Sequence, residues 1–219
     1  GRTDAGVHGL MQVVHFDTCA VRPLRAWVMG VNSLLPADVA VQWAREVAPD
    51  FHARFSARYR RYRYLVLTRA QRSALAAGSA CLERRPLDAP RMHEAAQCLL
   101  GERDFSAFRG AGCQSRTPMR RLDRVAVGRA GELLTIEVEA NAFLLHMVRN
   151  IAGSLLAIGT GDRSAQWLAG VLESRDRTLA AATAPAQGLY LVDVGYDAQC
   201  GLPRPPAGPA IIAAPGDPA

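Results

Sequence analysis

Asp4 is the single acid in the opening stretch Gly1-Arg2-Thr3-Asp4-Ala5-Gly6-Val7-His8-Gly9. Glycines on both sides allow a tight loop and a close backbone approach to a ligand, and Arg2 is near enough in sequence to favour the charged carboxylate. Such a carboxylate can act as a nucleophile. The competing reading is a turn, with Asp4 bonding its own backbone.

A second candidate is Arg149, the one formal charge between Ala140 and Gly161. Leu144, Val148, Ile151, Leu155 and Ile158 recur at helical spacing, while Arg149 and Gly153 share another face. If the arginine is desolvated, a carboxylate partner makes its burial tolerable, and Asp4 is the natural choice. Otherwise the side chain reaches out to solvent. The stretch is too interrupted by polar residues to read as a membrane span.

The third candidate is a basic, aromatic run. Residues 51 to 82 hold Arg54, Arg58, Arg60, Arg61, Arg63, Arg69 and Arg72 and no acid, whereas the rest of the chain has 19 basic and 20 acidic residues. The net charge of +6 is therefore local, a footprint for a polyanion such as nucleic acid. Every cation is arginine, which reads as coding bias rather than function. Within the run, Arg58-Tyr59-Arg60-Arg61-Tyr62-Arg63-Tyr64-Leu65-Val66-Leu67 reads as a strand. Its alternation puts Tyr62, Tyr64 and Val66 on one face and Arg61, Arg63, Leu65 and Leu67 on the other. Tyr62 could stack on an unpaired base between phosphate-binding arginines, or be half-buried core.

Other chemistries lack their residues. Cys19, Cys81, Cys98, Cys113 and Cys200 are odd in number and widely spaced, which argues against a disulfide framework or a zinc site. His8, His15, His52, His93 and His146 form no metal-binding pattern and read as packing or hydrogen-bonding residues. No metal or cofactor is expected, a reducing compartment is, and no cationic-then-apolar leader is seen.

The elements that must position these groups alternate between strand and helix. The pattern predicts strands at 11–17, 39–47, 122–128, 133–139 and 188–194, the middle pair as a hairpin around Arg129-Ala130-Gly131. Helices are predicted at 23–34, after Leu87 with Asp88 as N-cap and Pro90 in the first turn, at 143–158 and at 164–173. In the helix after Leu87, Met92, Ala95, Ala96, Leu99 and Leu100 should point inward. With 49% hydrophobic content over 219 residues there is material for a large core. The class is α+β with a mostly antiparallel sheet. We divide it into 1–57, 58–197 and a Pro/Gly-rich tail at 198–219.

Four ordered motifs, GRTDAGVHG at 1–9, RRYRYLV at 60–66, NAFLLHMVRNIAGSLL at 141–156 and GLYL at 188–191, resemble those of the tRNA pseudouridine synthase A family. QVVHF at 12–16, FHARFSA at 51–57, CQSRTP at 113–118 and DRTLAAATAP at 176–185 extend the resemblance along nearly the whole chain. The resemblance implies two ferredoxin-like halves sharing an extended sheet, with the catalytic cleft between them. It implies Asp4 as catalytic aspartate, Arg2 in the same loop, Tyr62 stacked on the target uracil and moving its proton, Arg149 paired with Asp4, and Leu189 lining the base pocket. Arg58, Arg60 and Arg61 would bind substrate. The expected partner is the anticodon arm of tRNA, with uridines at tRNA positions 38–40 isomerised by a cytoplasmic homodimer needing no cofactor. Family members carry about fifty residues before the catalytic motif. Their absence here predicts an incomplete first half with an exposed strand edge and apolar surface.

The implied chemistry breaks the N1–C1′ glycosidic bond, turns the uracil and joins C5 to C1′. Aspartate attack at C1′ or at C6 both fit. The base must leave its stack, and aromatic stacking offsets part of that cost. A non-catalytic RNA-binding fragment and a nucleoside hydrolase are the alternatives, marked by binding without turnover and by free uracil respectively.

Overall fold

The computed structural model describes residues 1–203. It contains strands β1 (His8–Gly9), β2 (Tyr59–Thr68), β3 (Cys81–Glu83), β4 (Gly101–Asp104), β5 (Met119–Ala130), β6 (Leu133–Ala140) and β7 (Leu189–Gly195). The α-helices are α1 (Leu24–Asn32), α2 (Ala89–Ala96), α3 (Met147–Gly159) and α4 (Trp167–Ser174). The strands form one sheet in the order β1-β7-β2-β6-β5-β4, with β3 also on β2. Only the β1–β7 and β2–β3 pairings are parallel. The fold is therefore α+β with a mostly antiparallel sheet, as expected.

β2 is the centre of this sheet. One edge pairs with β6 from Arg60 to Leu67, and the other is shared by β7 and β3. Its alternation separates two clusters. Tyr64 and Val66, with Tyr62 partly buried, join the main core, whereas Leu65 packs with Ala80, Tyr190 and Val192 on the opposite face. The main core is closed by the helices. α2 starts where Asp88 accepts a hydrogen bond from the Arg91 amide (3.0 Å) with Pro90 in the first turn. Met92, Ala95, Ala96 and Leu99 are buried and Leu100 is partly so. α3 buries Val148, Ile151, Leu155 and Ile158, the face read from spacing.

Two expected strands do not form. Residues 11–17 carry no ladder, although Leu10 and Met11 donate to Leu191 O (3.0 and 3.4 Å). Residues 39–47 are also irregular, held at Val41 by reciprocal bonds with the Asn32 side chain (2.7 and 2.9 Å). Strand-like alternation becomes a strand only where a neighbouring backbone continues its hydrogen bonds as a ladder; neither segment meets more than isolated bonds among the described residues. α1 forms within the expected range but buries none of its residues. α3 starts at Met147 rather than near 143, because His146 adopts a left-handed conformation (φ 59°) and residues 141–146 stay a loop. α4 starts at Trp167 rather than 164. β3 and β4, too short to show a period, escaped the sequence reading. Of the tail, residues 204–219 lie outside the described residues.

Candidate active site

Asp4 sits in a turn closed by the Val7 amide donating to Asp4 O (3.1 Å). Gly6 makes that turn possible: its φ is +79°, and a Cβ there would lie 3.3 Å from the Ala186 Cβ. β1 follows at once and pairs His8 with Tyr190 and Gly9 with Leu191, so β7 fixes the loop against the sheet.

The carboxylate meets two cationic or polar side chains from the start of α3. Arg149 Nη1 and His146 Nε2 each lie 3.5 Å from Asp4 Oδ2. Asp4, Arg149 and His146 are partly buried. A carboxylate there is also favoured by the positive end of the α3 dipole. Arg149 is aimed from behind. Its Nε donates to Ala184 O (2.8 Å), and its own carbonyl accepts from the Ala184 amide (3.1 Å).

That segment before β7 is clamped to α3 by a partly buried network. Arg177 Nη2 donates to Asn150 Oδ1 and to Thr183 Oγ1 (both 3.0 Å), and the Thr183 hydroxyl donates to Asn150 Oδ1 (2.6 Å). Asn150, fully buried, donates from Nδ2 to Phe108 O (2.8 Å). Gly153 lets the backbones touch: a Cβ there would stand 2.0 Å from Ala182 O.

Tyr62 approaches from β2, where the pairing with β7 slips by one residue between Arg61 and Tyr62. A bulge re-aims a side chain at such a point. The ring stands edge-on to Phe143, with centroids 5.1 Å apart and planes at 89°. Burial, and then the nearby Asp4 charge, push its phenol up to about 12, so the hydroxyl keeps its proton at neutral pH. Leu189, buried at the start of β7, lies opposite Tyr64 in the ladder. Arg2 is exposed in the Asp4 loop.

The structure thus brings Asp4, Arg149 and Tyr62 together and leaves the basic residues dispersed. Arg58 pairs with Asp197 at 2.5 Å and Arg61 with Asp193 at 3.2 Å. Arg60 is engaged by the carbonyls of Ala57 (3.0 Å), Asn141 (2.8 Å) and Arg54. The sequence reads His146 only as a packing or hydrogen-bonding residue; its place three residues before Arg149, at the entry to an apolar helix, is the available signal. Asn150, Arg177 and Thr183 carried no signal by type or spacing. A cavity of about 770 Å³ beside Phe51, Phe55 and Arg58 shares no residue with the Asp4 cluster.

A partly buried carboxylate 3.5 Å from an arginine, with a protonated phenol nearby, is an arrangement able to carry nucleophilic or acid–base chemistry. Comparison with known proteins specifies the class. A family model described as tRNA pseudouridine synthase matches residues 95–197. tRNA pseudouridine synthase A of Cronobacter sakazakii is 54% identical over 213 residues, covering 97% of this chain and 79% of that protein. Those of Salmonella arizonae and Salmonella paratyphi B are 54% and 55% identical with the same coverage. The chain belongs to the tRNA pseudouridine synthase family, a family of isomerases.

Proposed function

We propose that this chain isomerises uridine to pseudouridine in the anticodon stem-loop of tRNA, with Asp4 as the nucleophile. The observation that carries this reading is the convergence of Asp4, Arg149 and Tyr62 from three separate segments.

Asp4 attacks C1′ of the ribose or C6 of the base, and the N1–C1′ bond breaks. The freed uracil turns, C5 bonds to C1′, and the bond from Asp4 to C1′ or C6 breaks to regenerate its carboxylate; the C5 proton leaves while a ring nitrogen regains one, so substrate and product are isomers. Arg149, fixed by Ala184 O, orients Asp4 and balances its charge. Tyr62 stacks on the extruded uracil, its hydroxyl able to donate as the base turns. Leu189 supplies apolar wall, and Arg2, Arg58, Arg60 and Arg61 lie toward the polyanion. The working form is a cytoplasmic homodimer with one tRNA across both subunits. Among the described residues, no helix is long and apolar enough to cross a membrane.

The test is tritium release from tRNA labelled at uracil C5, with this chain and its Asp4→Ala variant. Asp4-dependent release is expected. Release that persists in the variant removes Asp4 as nucleophile, and absence of release from the parent removes the isomerase reading.

A further inference from the structure

The segment before β2 holds an aromatic residue in water by an unusually complete set of bonds. Every backbone N–H from His52 to Ser56 has an acceptor nearby. His52 donates to Ser56 Oγ (3.0 Å) and Ala53 to His15 Nδ1 (3.4 Å). Arg54 and Phe55 both donate to His52 Nδ1 (3.1 and 3.2 Å), and Ser56 donates to His52 O (2.8 Å). The carbonyls are used too: Ala53 O accepts from the Tyr196 hydroxyl (2.7 Å), and Arg54 O from Arg60. A loop so determined does not expose a large ring by slackness, yet Phe55 is 74% exposed.

Its surroundings fit a planar ligand. The His52 ring lies 4.3 Å from that of Phe55, inclined by 32°, and His15 packs behind it at 4.4 Å from His52, tilted by 56°. Arg54 Cζ stands 5.4 Å from the Phe55 centroid. At 74% exposure, most of the ring's surface is open to solvent, with the cation of the long Arg54 side chain over it. It borders the cavity of about 770 Å³, whose wall also carries Arg45, Arg58 and the carboxylates Glu46, Asp50 and Asp197. An incoming phosphate would meet Arg54 beside the ring, and the carboxylates of the wall offer acceptors to base amino groups.

The platform adjoins the catalytic cluster. Arg60, two residues before Tyr62, ties Arg54 O to Asn141 O, and the loop after Asn141 carries the Phe143 ring that touches Tyr62. We propose that Phe55, backed by His52 and flanked by Arg54, stacks an unpaired nucleobase of the RNA substrate, a nucleotide other than the uridine at Asp4. The inference deepens the tRNA reading above and rests on it. Its chemistry is that of single-strand recognition, a π-face for the base and a cation for its phosphate.

The experiment measures dissociation constants in an Asp4→Asn background, so that binding is separated from turnover. The probes are an unmodified tRNA transcript and a fully paired RNA duplex. Phe55→Ala is expected to weaken the transcript by about 5- to 150-fold, the range for loss of one base–aromatic stack, and to leave duplex binding unchanged. Phe55→Trp should restore transcript affinity, and its added indole fluorescence should be quenched by the transcript and not by the duplex. Transcript affinity within about twofold of the parent in Phe55→Ala, or equal losses for both probes, overturns the platform. Tritium release with no Phe55 effect would sink this inference alone. A Phe55-dependent affinity without tritium release would sink the isomerase reading and leave the platform standing.

Discussion

Asp4 touches two groups of different kinds, and a substitution can separate its charge from its shape. Asp4→Asn keeps the turn and the volume but removes the nucleophile and the partner of Arg149. Turnover should fall by at least about 1,000-fold while tRNA affinity stays within about threefold, since the charge acts in the chemical step. Tritium release and filter binding read the two quantities, and a parallel loss of both would place Asp4 in docking. Tyr62 makes a second prediction with its neighbours. Burial raises all five tyrosines of the sequence above the ordinary value near 10, with Tyr59, Tyr62 and Tyr196 reaching about 12. Below pH 10 both folded and unfolded states keep their phenolic protons, so this contribution to stability is complete. Between about pH 10 and 12 the unfolded chain releases protons that the folded one retains, and stability drops as pH rises. An ultraviolet titration of the native protein should show little tyrosinate at pH 10, whereas half the signal there would mean solvated rings.

One glycine links the elements that set Arg149. Since a Cβ at Gly153 would come 2.0 Å from Ala182 O, Gly153→Ala must push the 182–184 segment off α3. Ala184 O would then lose its hold on Arg149 Nε. We expect a stability loss of about 1–3 kcal/mol and turnover reduced by about 10- to 100-fold. Gly170, inside α4 with open space around its Cα, is the control. Gly170→Ala should stabilise by about 0.4–1 kcal/mol and leave turnover alone. Chemical denaturation of both variants checks this, and equal effects would refute the clamp. At this scale, the sequence was readable where local rules decide. The Asp88 cap, the two faces of β2 and the inward face of α3 follow from type and spacing, while the Asp4–Arg149 pairing is one of two readings of a lone charge and the one that the family resemblance implies. Pairing partners do not. Residues 11–17 and 39–47 alternate like strands, yet strand formation depends on a neighbouring backbone that alternation cannot report. Asn150 meets Thr183 across 33 positions and Phe108 across 42, contacts that only the assembled fold defines.

Across the whole molecule, the arginine-rich segment changes meaning once folded. Along the chain its seven arginines face no acid, but in space four of them meet carboxylates from later segments. Arg58 pairs with Asp197, Arg61 with Asp193, Arg63 with Glu137 and Arg69 with Glu132. The Arg63–Glu137 pair is buried at 2.6 Å across β2 and β6, where it serves the sheet rather than a surface. Seven phosphate contacts would give tRNA affinity a salt slope near −5 to −6, whereas three give about −2 to −3 from this segment. A phosphate must displace Asp193 to engage Arg61, while Arg54 stands beside the exposed Phe55 ring. Arg54→Gln should therefore flatten the plot of log affinity against log salt by about one unit, and Arg61→Gln by clearly less. A salt series of filter-binding measurements on the parent and both variants decides the matter. Equal flattening by the two would show that RNA binding opens the Arg61–Asp193 pair, and that the charge read along the sequence, rather than the charge left over after folding, sets the attraction.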